Sequence, residues 1–347
     1  MRNKLLLAIC LFLGGLTTNA QDLHFTQYNM AGPQLNPAAT GGFYGTFRVG
    51  GIYRSQWYSG FGTTLFSTPM AYIDAPAYRG FRKQDWFGVG MTYSQDNAGT
   101  LKLGRTSLLG SLSYHFSLDK KQKNVITLGY QWGNHSFRFN NAQDANPEDQ
   151  ILGGSSLDML NTEAESYQGS NLGLQFTSQI AEGSRLNVGA AMFRLTRANL
   201  SLLQGAGGGS GGRTRIPSRF VFHGGLEQDI NDRFMVFPSF MVQTQESDME
   251  VLIQVMGGVT LPLKDQAKNK PQEILAMAGL GTRLGDALQV LIGGQYGPYR
   301  VGFSYDINTS DLSEATQNVG GIEIALSYVA VIKKKPKPKP TIFCPRL

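Results

Sequence analysis

The sequence predicts an all-β fold: a transmembrane antiparallel β-barrel of about 14 strands, with an N-terminal lumen segment and a basic periplasmic C-terminal tail. Three observations lead there. Charged residues make up only 16% of the chain, against about a quarter in soluble domains. Glycine contributes 43 of 347 residues, well above the ordinary ~7%. A mean hydropathy of −0.19 shows that long apolar runs have not replaced the missing charge. With 41% hydrophobic and 11% aromatic residues the chain can bury a core, which excludes disorder. Beyond the first twenty positions no run approaches the ~20 apolar residues that a membrane-spanning helix needs.

Residues 1–20 read as a secretory signal peptide. Arg2 and Lys4 precede an apolar core from Leu5 to Leu16, and Thr18-Asn19-Ala20 offers a small-residue cleavage site. Cys10 does not fit lipidation, because bulky Ile9 precedes it inside the apolar core. Cleavage after Ala20 leaves Cys344 as the sole cysteine, so the fold holds without an internal disulfide. Residues 21–41 form the lumen or plug segment, 42–332 the outer-membrane barrel and 333–347 the tail.

In the barrel region side chains alternate at period two, which sends neighbours to opposite faces of a sheet. Phe47, Val49, Gly51, Tyr53 and Trp57 oppose Arg48, Arg54 and Gln56. Leu108, Leu112, Tyr114 and Phe116 oppose Ser107, Ser111, Ser113 and His115. Ile126, Leu128, Tyr130 and Trp132 oppose Thr127, Gly129, Gln131 and Gly133. Tyr299, Val301, Phe303 and Tyr305 oppose Arg300, Gly302, Ser304 and Asp306, and the last run sets Ile322, Ile324, Leu326, Tyr328 and Ile332 against Glu323 and Ser327. Strands are expected to start near Phe47, Leu65, Trp86, Leu101, Val125, Asn171, Leu186, Phe220, Phe234, Val251, Ile274, Ala287, Tyr299 and Val319.

A soluble sandwich also alternates, but two features oppose it. Aromatics gather near strand ends (Tyr53, Trp57, Tyr58, Trp86, Phe87, Trp132, Tyr296, Tyr299) as interfacial girdles do. The other face is Gly, Ser, Thr, Gln and Arg, which suits a wet or plugged lumen. With an even strand number both termini are periplasmic and the long loops extracellular. That puts the turns at Ala181–Ser184, Asp229–Asp232 and Gly297-Pro298 inside, and Asn140–Gln168, Ser201–Pro217 and Asn308–Gln317 outside. The lysine-bearing stretch Leu263–Gln272 is an exception, a longer connection on the inner side.

Of the net charge of +6, two come from Arg2 and Lys4 and six from the five lysines and Arg346 after Ile332, leaving 21–332 at −2. Such a body offers no basic face for nucleic acid. Catalysis needs a converging nucleophile, base and orienting group. His24, His115, His135 and His223 are scattered, and Cys344 has no histidine near it in sequence. The GAGGGSGG stretch at Gly205–Gly212 lacks the strand-then-helix context of a nucleophile elbow. Asp144, Asn146, Glu148 and Asp149 match no calcium-loop spacing. No enzyme, metal or cofactor is expected.

The flanks carry more. Residues 21–41, QDLHFTQYNMAGPQLNPAATG, are rich in amides that can satisfy wall donors and acceptors from inside a lumen. The KKKPKPKP run from Lys333 to Pro340 is a polyproline-type spacer, followed by the apolar cap Thr341–Leu347. Gln21-Asp22, Phe25-Thr26-Gln27-Tyr28, Asn36-Pro37-Ala38 and Gly41, the late Gly302, Ser304, Tyr305, Asp306 and Glu323, and the terminal Cys-Pro-Arg together resemble the PorP/SprF family of outer-membrane proteins. The chain departs from that pattern in its glycine-rich loop and in lacking an aromatic after Asn36-Pro37. The resemblance implies an outer-membrane barrel that works with the type IX secretion and gliding apparatus. Its partners would be the C-terminal domain of a secreted adhesin, periplasmic components of the machinery, and outer-membrane lipid. It marks Gln27, Tyr28, Asn36, Pro37, Gly41, Tyr305, Asp306 and Glu323 as plug or lumen positions. In the tail, Phe343, Cys344, Pro345 and Arg346 are the expected partner-binding residues. The alternative is an outer-membrane transport channel for hydrophobic or small solutes, resembling the fatty-acid transporters.

Overall fold

A computed structural model describes residues 24–56, 66–98, 103–139, 159–160, 165–196, 199–200, 203–204, 214–263, 272–310, 313 and 318–332. Fourteen antiparallel strands close into one barrel. They are β1 Phe47–Gln56, β2 Phe66–Arg79, β3 Trp86–Ala98, β4 Leu103–Ser117, β5 Asn124–Phe139, β6 Glu165–Ala181 and β7 Ser184–Phe193. The circuit continues with β8 Arg219–Asp229, β9 Phe234–Gln245, β10 Asp248–Leu263, β11 Gln272–Arg283, β12 Ala287–Tyr296, β13 Tyr299–Asn308 and β14 Val319–Ala330. Every strand pairs with its neighbour in sequence, and β14 closes on β1 from Phe47↔Ala330 to Gln56↔Gly321. Closure leaves the fourteen barrel strands without a free edge to pair with another chain.

An even count brings the start of β1 and the end of β14 to one rim, here the terminal end; the opposite rim is the loop end. Tight turns at Gly183, with φ of 73°, and Gly297, with φ of 54°, reverse the chain at the terminal end, where glycine avoids the clash that a Cβ would bring. Two small ladders, Met159–Leu160 with Leu203–Gln204 and Asn199–Leu200 with Thr214–Arg215, lie within the long loop-end connections.

The alternation becomes inside and outside. Leu112, Leu128, Val255, Phe303 and Ile324 project outward and are exposed, whereas Ser113, Gln131, Gln254, Ser304 and Glu323 on the opposite face are buried. Two expectations need correction. Strand β6 starts at Glu165, six residues before Asn171, because Glu165–Gln168 pairs with Asn134–Phe137 of β5 and Tyr167 stacks on His135 at 4.9 Å. Trp86 is no girdle residue: it stacks inward on His115, with ring centroids 4.4 Å apart. Trp57, Tyr58, the 205–212 glycine stretch, the Asp144–Asp149 loop and the connection from Lys264 to Pro271 lie outside the described residues.

The chain before β1 runs along the inner wall as three short 3-10 turns, Tyr28–Met30, Gly32–Gln34 and Pro37–Ala39. Pro33 and Pro37 sit at the first positions of their turns, where a fixed φ helps and the missing N–H costs nothing. The Asn36 side chain caps the third turn by accepting from the Ala38 N–H at 2.9 Å. Glycines in the wall make room for it. A methyl group at Gly129 would strike the backbone of Pro37 and Ala38, and one at Gly173 the Asn36 side chain. Glycine within a strand commonly marks such a close backbone approach.

Candidate functional site

The N-terminal segment is tied to the wall at three levels, and the loop-end level is the most highly charged. Thr26 is its hub. Its N–H donates to Glu323 Oε1 at 2.6 Å, its hydroxyl donates to Asp306 Oδ1 at 2.8 Å, and its carbonyl accepts from Gln254 Nε2 at 2.7 Å. The next N–H, of Gln27, donates to the other oxygen of Glu323 at 2.8 Å. Two arginines hold the carboxylates. Arg54 donates to Glu323 at 2.5 Å and to Asp306 at 3.1 Å. Arg283 reaches Asp306 at 3.3 Å and Glu250 at 3.4 Å. Arg54, Arg283, Glu250, Asp306 and Glu323 are all buried, and burial of such charges is tolerated only when each is paired and hydrogen-bonded. His24 completes the level, 3.8 Å from Glu250.

Midway, Asn36 donates to the Leu174 carbonyl at 3.1 Å and meets His223 Nε2 at 3.1 Å. Tyr28 packs among Ala191, Phe193, Val221, Met241 and Leu252. Lower down, the Thr40 carbonyl accepts from Ser113 Oγ at 2.6 Å and lies 2.8 Å from His115 Nε2. A carbonyl only accepts, so Nε2 carries the proton and Nδ1 accepts from Thr127 at 2.8 Å.

At the terminal end Gly41, with φ of 67°, turns the chain toward β1. Its N–H donates to Asp74 at 2.7 Å and its carbonyl accepts from Trp86 Nε1 at 3.0 Å. Arg48 forks onto both oxygens of Asp74, at 2.9 and 2.8 Å, and reaches the Ala39 carbonyl at 3.2 Å. Outside the wall on this rim, Arg82 and Tyr114 hold the Asp85 carboxylate. The guanidinium of Arg82 is the main reason that Asp85 is lowered to about 2, helped by Tyr114 and the Ser117 N–H.

Of the residues picked out in the sequence, Gln27, Asp306 and Glu323 meet at the loop end, Asn36, Pro37 and Tyr28 lie midway, and Gly41 is at the terminal end. Tyr305 does not join them, since period-two alternation turns it to the outward face between Ser304 and Asp306. Phe343, Cys344, Pro345 and Arg346 lie outside the described residues. Arg54, Arg283, Glu250, Asp74, Gln254, His115 and His223 were not singled out as site residues. Their one signal is an ionisable or amide side chain on the inward face of a strand. Among the described residues no group of three His, Cys, Asp or Glu side chains is arranged to hold a metal ion.

A lumen-filling segment headed by Phe-x-Gln-Tyr and Asn-Pro-Ala, clamped by the late Asp306 and Glu323, joins two of the three elements of the resemblance in space. The profile of the family described as type IX secretion system membrane protein PorP/SprF matches residues 17–328. The chain belongs to the PorP/SprF family. Its barrel is accordingly that of an outer-membrane protein of the type IX secretion system. No curated protein matches this PorP/SprF member in sequence. Its fold is similar to that of the Ralstonia pickettii toluene transporter TbuX, with TM-score 0.50 and 11% identity over 88% of this chain and 94% of that one. A Pseudomonas aeruginosa FadL homologue gives 0.47 and 12% over 87% and 96%. These likenesses concern the fold alone.

Proposed function

We propose that this PorP/SprF barrel is a non-enzymatic holder: it binds or anchors a secreted surface adhesin at the loop end and contacts the periplasmic machinery through its tail. The observation that carries this reading is the occupied lumen. A segment hydrogen-bonded to β1, β2, β4, β6, β13 and β14 along its length takes up space in the lumen, and the two-level ionic anchoring resists its removal. A filled barrel presents surfaces rather than a channel. On this reading Phe343 and Ile342 supply apolar grip, and Arg346 can fork onto a partner carboxylate.

Deleting the protein is expected to abolish surface attachment of the adhesin. Unchanged secretion and attachment would sink the proposal. Cutting after Ile332 is expected to leave a folded, heat-modifiable barrel that no longer displays adhesin. The second reading, a transport barrel, draws on the likeness to TbuX and predicts solute uptake by liposomes carrying the protein; silent liposomes count against it.

A further inference from the structure

The terminal-end rim is charged unevenly. Its first two turns, joining β2 to β3 and β4 to β5, carry Arg82 and the exposed lysines Lys83, Lys120, Lys121 and Lys123. The next two turns around the ring carry Glu182, Asp229 and Asp232 against Arg233, all exposed. The acids of the basic pair of turns are used within the protein. Asp85 takes the Arg82 fork at 2.9 Å on each oxygen, and accepts from the Tyr114 hydroxyl and the Ser117 N–H. Asp119 accepts the N–H groups of Lys121, Lys123 and Asn124 at 2.8, 3.1 and 2.7 Å. Among the described residues no carboxylate forms an ion pair with any of the four lysines. The two turns are also fixed to each other. The Gln122 side chain donates to the Gln84 carbonyl at 2.7 Å, and Arg82 crosses to the Ser117 carbonyl at 2.5 Å. Four like charges are therefore held on one locked platform without a counter-charge of their own.

What lies beside the platform decides the kind of partner. On the outward face of β4, Leu112, Tyr114 and Phe116 lead to Leu118 at the rim, and Lys120 follows two residues later. Phe81 is 89% exposed and lies against Phe87 and Tyr114, with ring centroids 6.0 and 5.6 Å apart. Arg82 covers the Phe116 ring at 3.8 Å. Aromatic rings outside a barrel wall mark the membrane–water boundary, and lysines at that boundary reach toward lipid headgroups. We propose that this basic sector of the terminal rim binds the headgroup phosphate of an anionic phospholipid, whose chains lie along the outward faces of β3 and β4. A zwitterionic lipid carries its own cation beside the phosphate, so the lysines discriminate by net charge. Each lysine near an anionic lipid surface is worth about a fivefold gain in affinity. Short turns face the periplasm in barrels of this class, so the lipid belongs to the periplasmic leaflet. An acidic protein segment is the competing occupant; the exposed aromatic flank continuous with the lipid-facing wall favours lipid. The site is independent of the adhesin reading above.

The test titrates fluorescent phosphatidylglycerol and fluorescent phosphatidylcholine into the full-length barrel in neutral detergent. Every arm carries Lys333→Gln, Lys334→Gln, Lys335→Gln, Lys337→Gln and Lys339→Gln, so that the tail adds no attraction of its own. The barrel should bind phosphatidylglycerol at least about tenfold more tightly than phosphatidylcholine. Lys83→Gln, Lys120→Gln, Lys121→Gln and Lys123→Gln combined leave the Asp85 and Asp119 hydrogen bonds in place. They should erase the preference in a barrel still heat-modifiable on gels. Equal affinity for the two lipids, or a preference that survives the four substitutions, overturns the site. Salt tests the same point without a rim variant. Going from about 0.1 M to about 1 M shortens the screening length from about 10 to about 3 Å and should erase the preference; persistence overturns the site as well. Soluble polyglutamate is the last probe and should bind more weakly than phosphatidylglycerol. Tighter binding that the four substitutions abolish makes the sector a protein-docking surface and overturns the lipid assignment.

Discussion

The two ends of the lumen segment are held by different physics. At the loop end five buried charged side chains form one network, in which Glu323 takes the N–H groups of Thr26 and Gln27, Asp306, Arg54 and Arg283 meet the Thr26 hydroxyl, and Glu250 pairs with Arg283. At the terminal end one Arg48–Asp74 pair, a stacked Trp86–His115 couple and two backbone contacts suffice. The difference follows from connectivity. The terminal end is continuous with β1, so its ordering entropy is largely met when the strand forms. The loop end, at Thr26 and Gln27, is separated from β1 by the whole length of the segment. It must be held by strong directional contacts, and charge-assisted hydrogen bonds are about twice as strong as neutral ones.

The comparison can be broken most forcefully at Glu323. Replacing it with alanine leaves Arg54 without its closest partner and two N–H groups unsatisfied. Removing one member of a buried charge network costs about 3–5 kcal/mol. Glu323→Ala should therefore raise amide hydrogen exchange at Thr26 and Gln27 by orders of magnitude while Gly41 stays protected. Equal loosening at Gly41 would mean that the segment opens as one unit and that the two ends are not separately held.

Asp74→Ala is the mirror experiment. It removes the acceptor of the Gly41 N–H and of the Arg48 fork. Hydrogen bonds to charged groups contribute about 1.5–3 kcal/mol, and the tether to β1 limits the spread. Exchange should rise at Gly41 and hardly at Thr26.

A smaller effect is expected midway. Gly173→Ala forces a methyl group into the Asn36 side chain, and overpacking of this kind costs about 1–3 kcal/mol. The outcome to check is greater protease sensitivity of the segment with a barrel that remains heat-modifiable on gels. An untouched digestion pattern would mean that wall and segment do not pack as tightly as the glycine implies.

The mildest test is pH at the terminal rim. Asp85 is lowered to about 2 from 3.8, chiefly by the Arg82 hydrogen bonds. A lowered carboxyl stabilises fully above its unfolded value and loses that contribution as pH falls through the folded one. The Ser117 N–H, which donates to Asp85 at 3.1 Å, should lose protection as pH falls from about 4 to about 2, with no matching change in Asp85→Asn.

Much of the wall was legible in the sequence because its information is local. Val301, Phe303 and Tyr305 alternate with Gly302, Ser304 and Asp306 whatever the rest of the chain does, and a strand's two faces follow from its pleat. The start of β6 was misread because Glu165–Gln168 is polar on both faces; only pairing with Asn134–Phe137 makes it strand. Trp86 was misread because an aromatic at a strand end has the same composition whether it faces lipid or lumen.

By itself the sequence determined where most of the barrel strands run, which face most of their side chains take, and which family the flanking motifs resemble. Tertiary structure alone decided how the charges inside the lumen are matched. Arg54 and Glu323 are 269 positions apart, and no periodicity links them. They meet because β1 and β14 close the barrel with Arg54 opposite Glu323. Pairing a buried charge is a requirement on position in space, and position in space exists only once the ring of strands is complete.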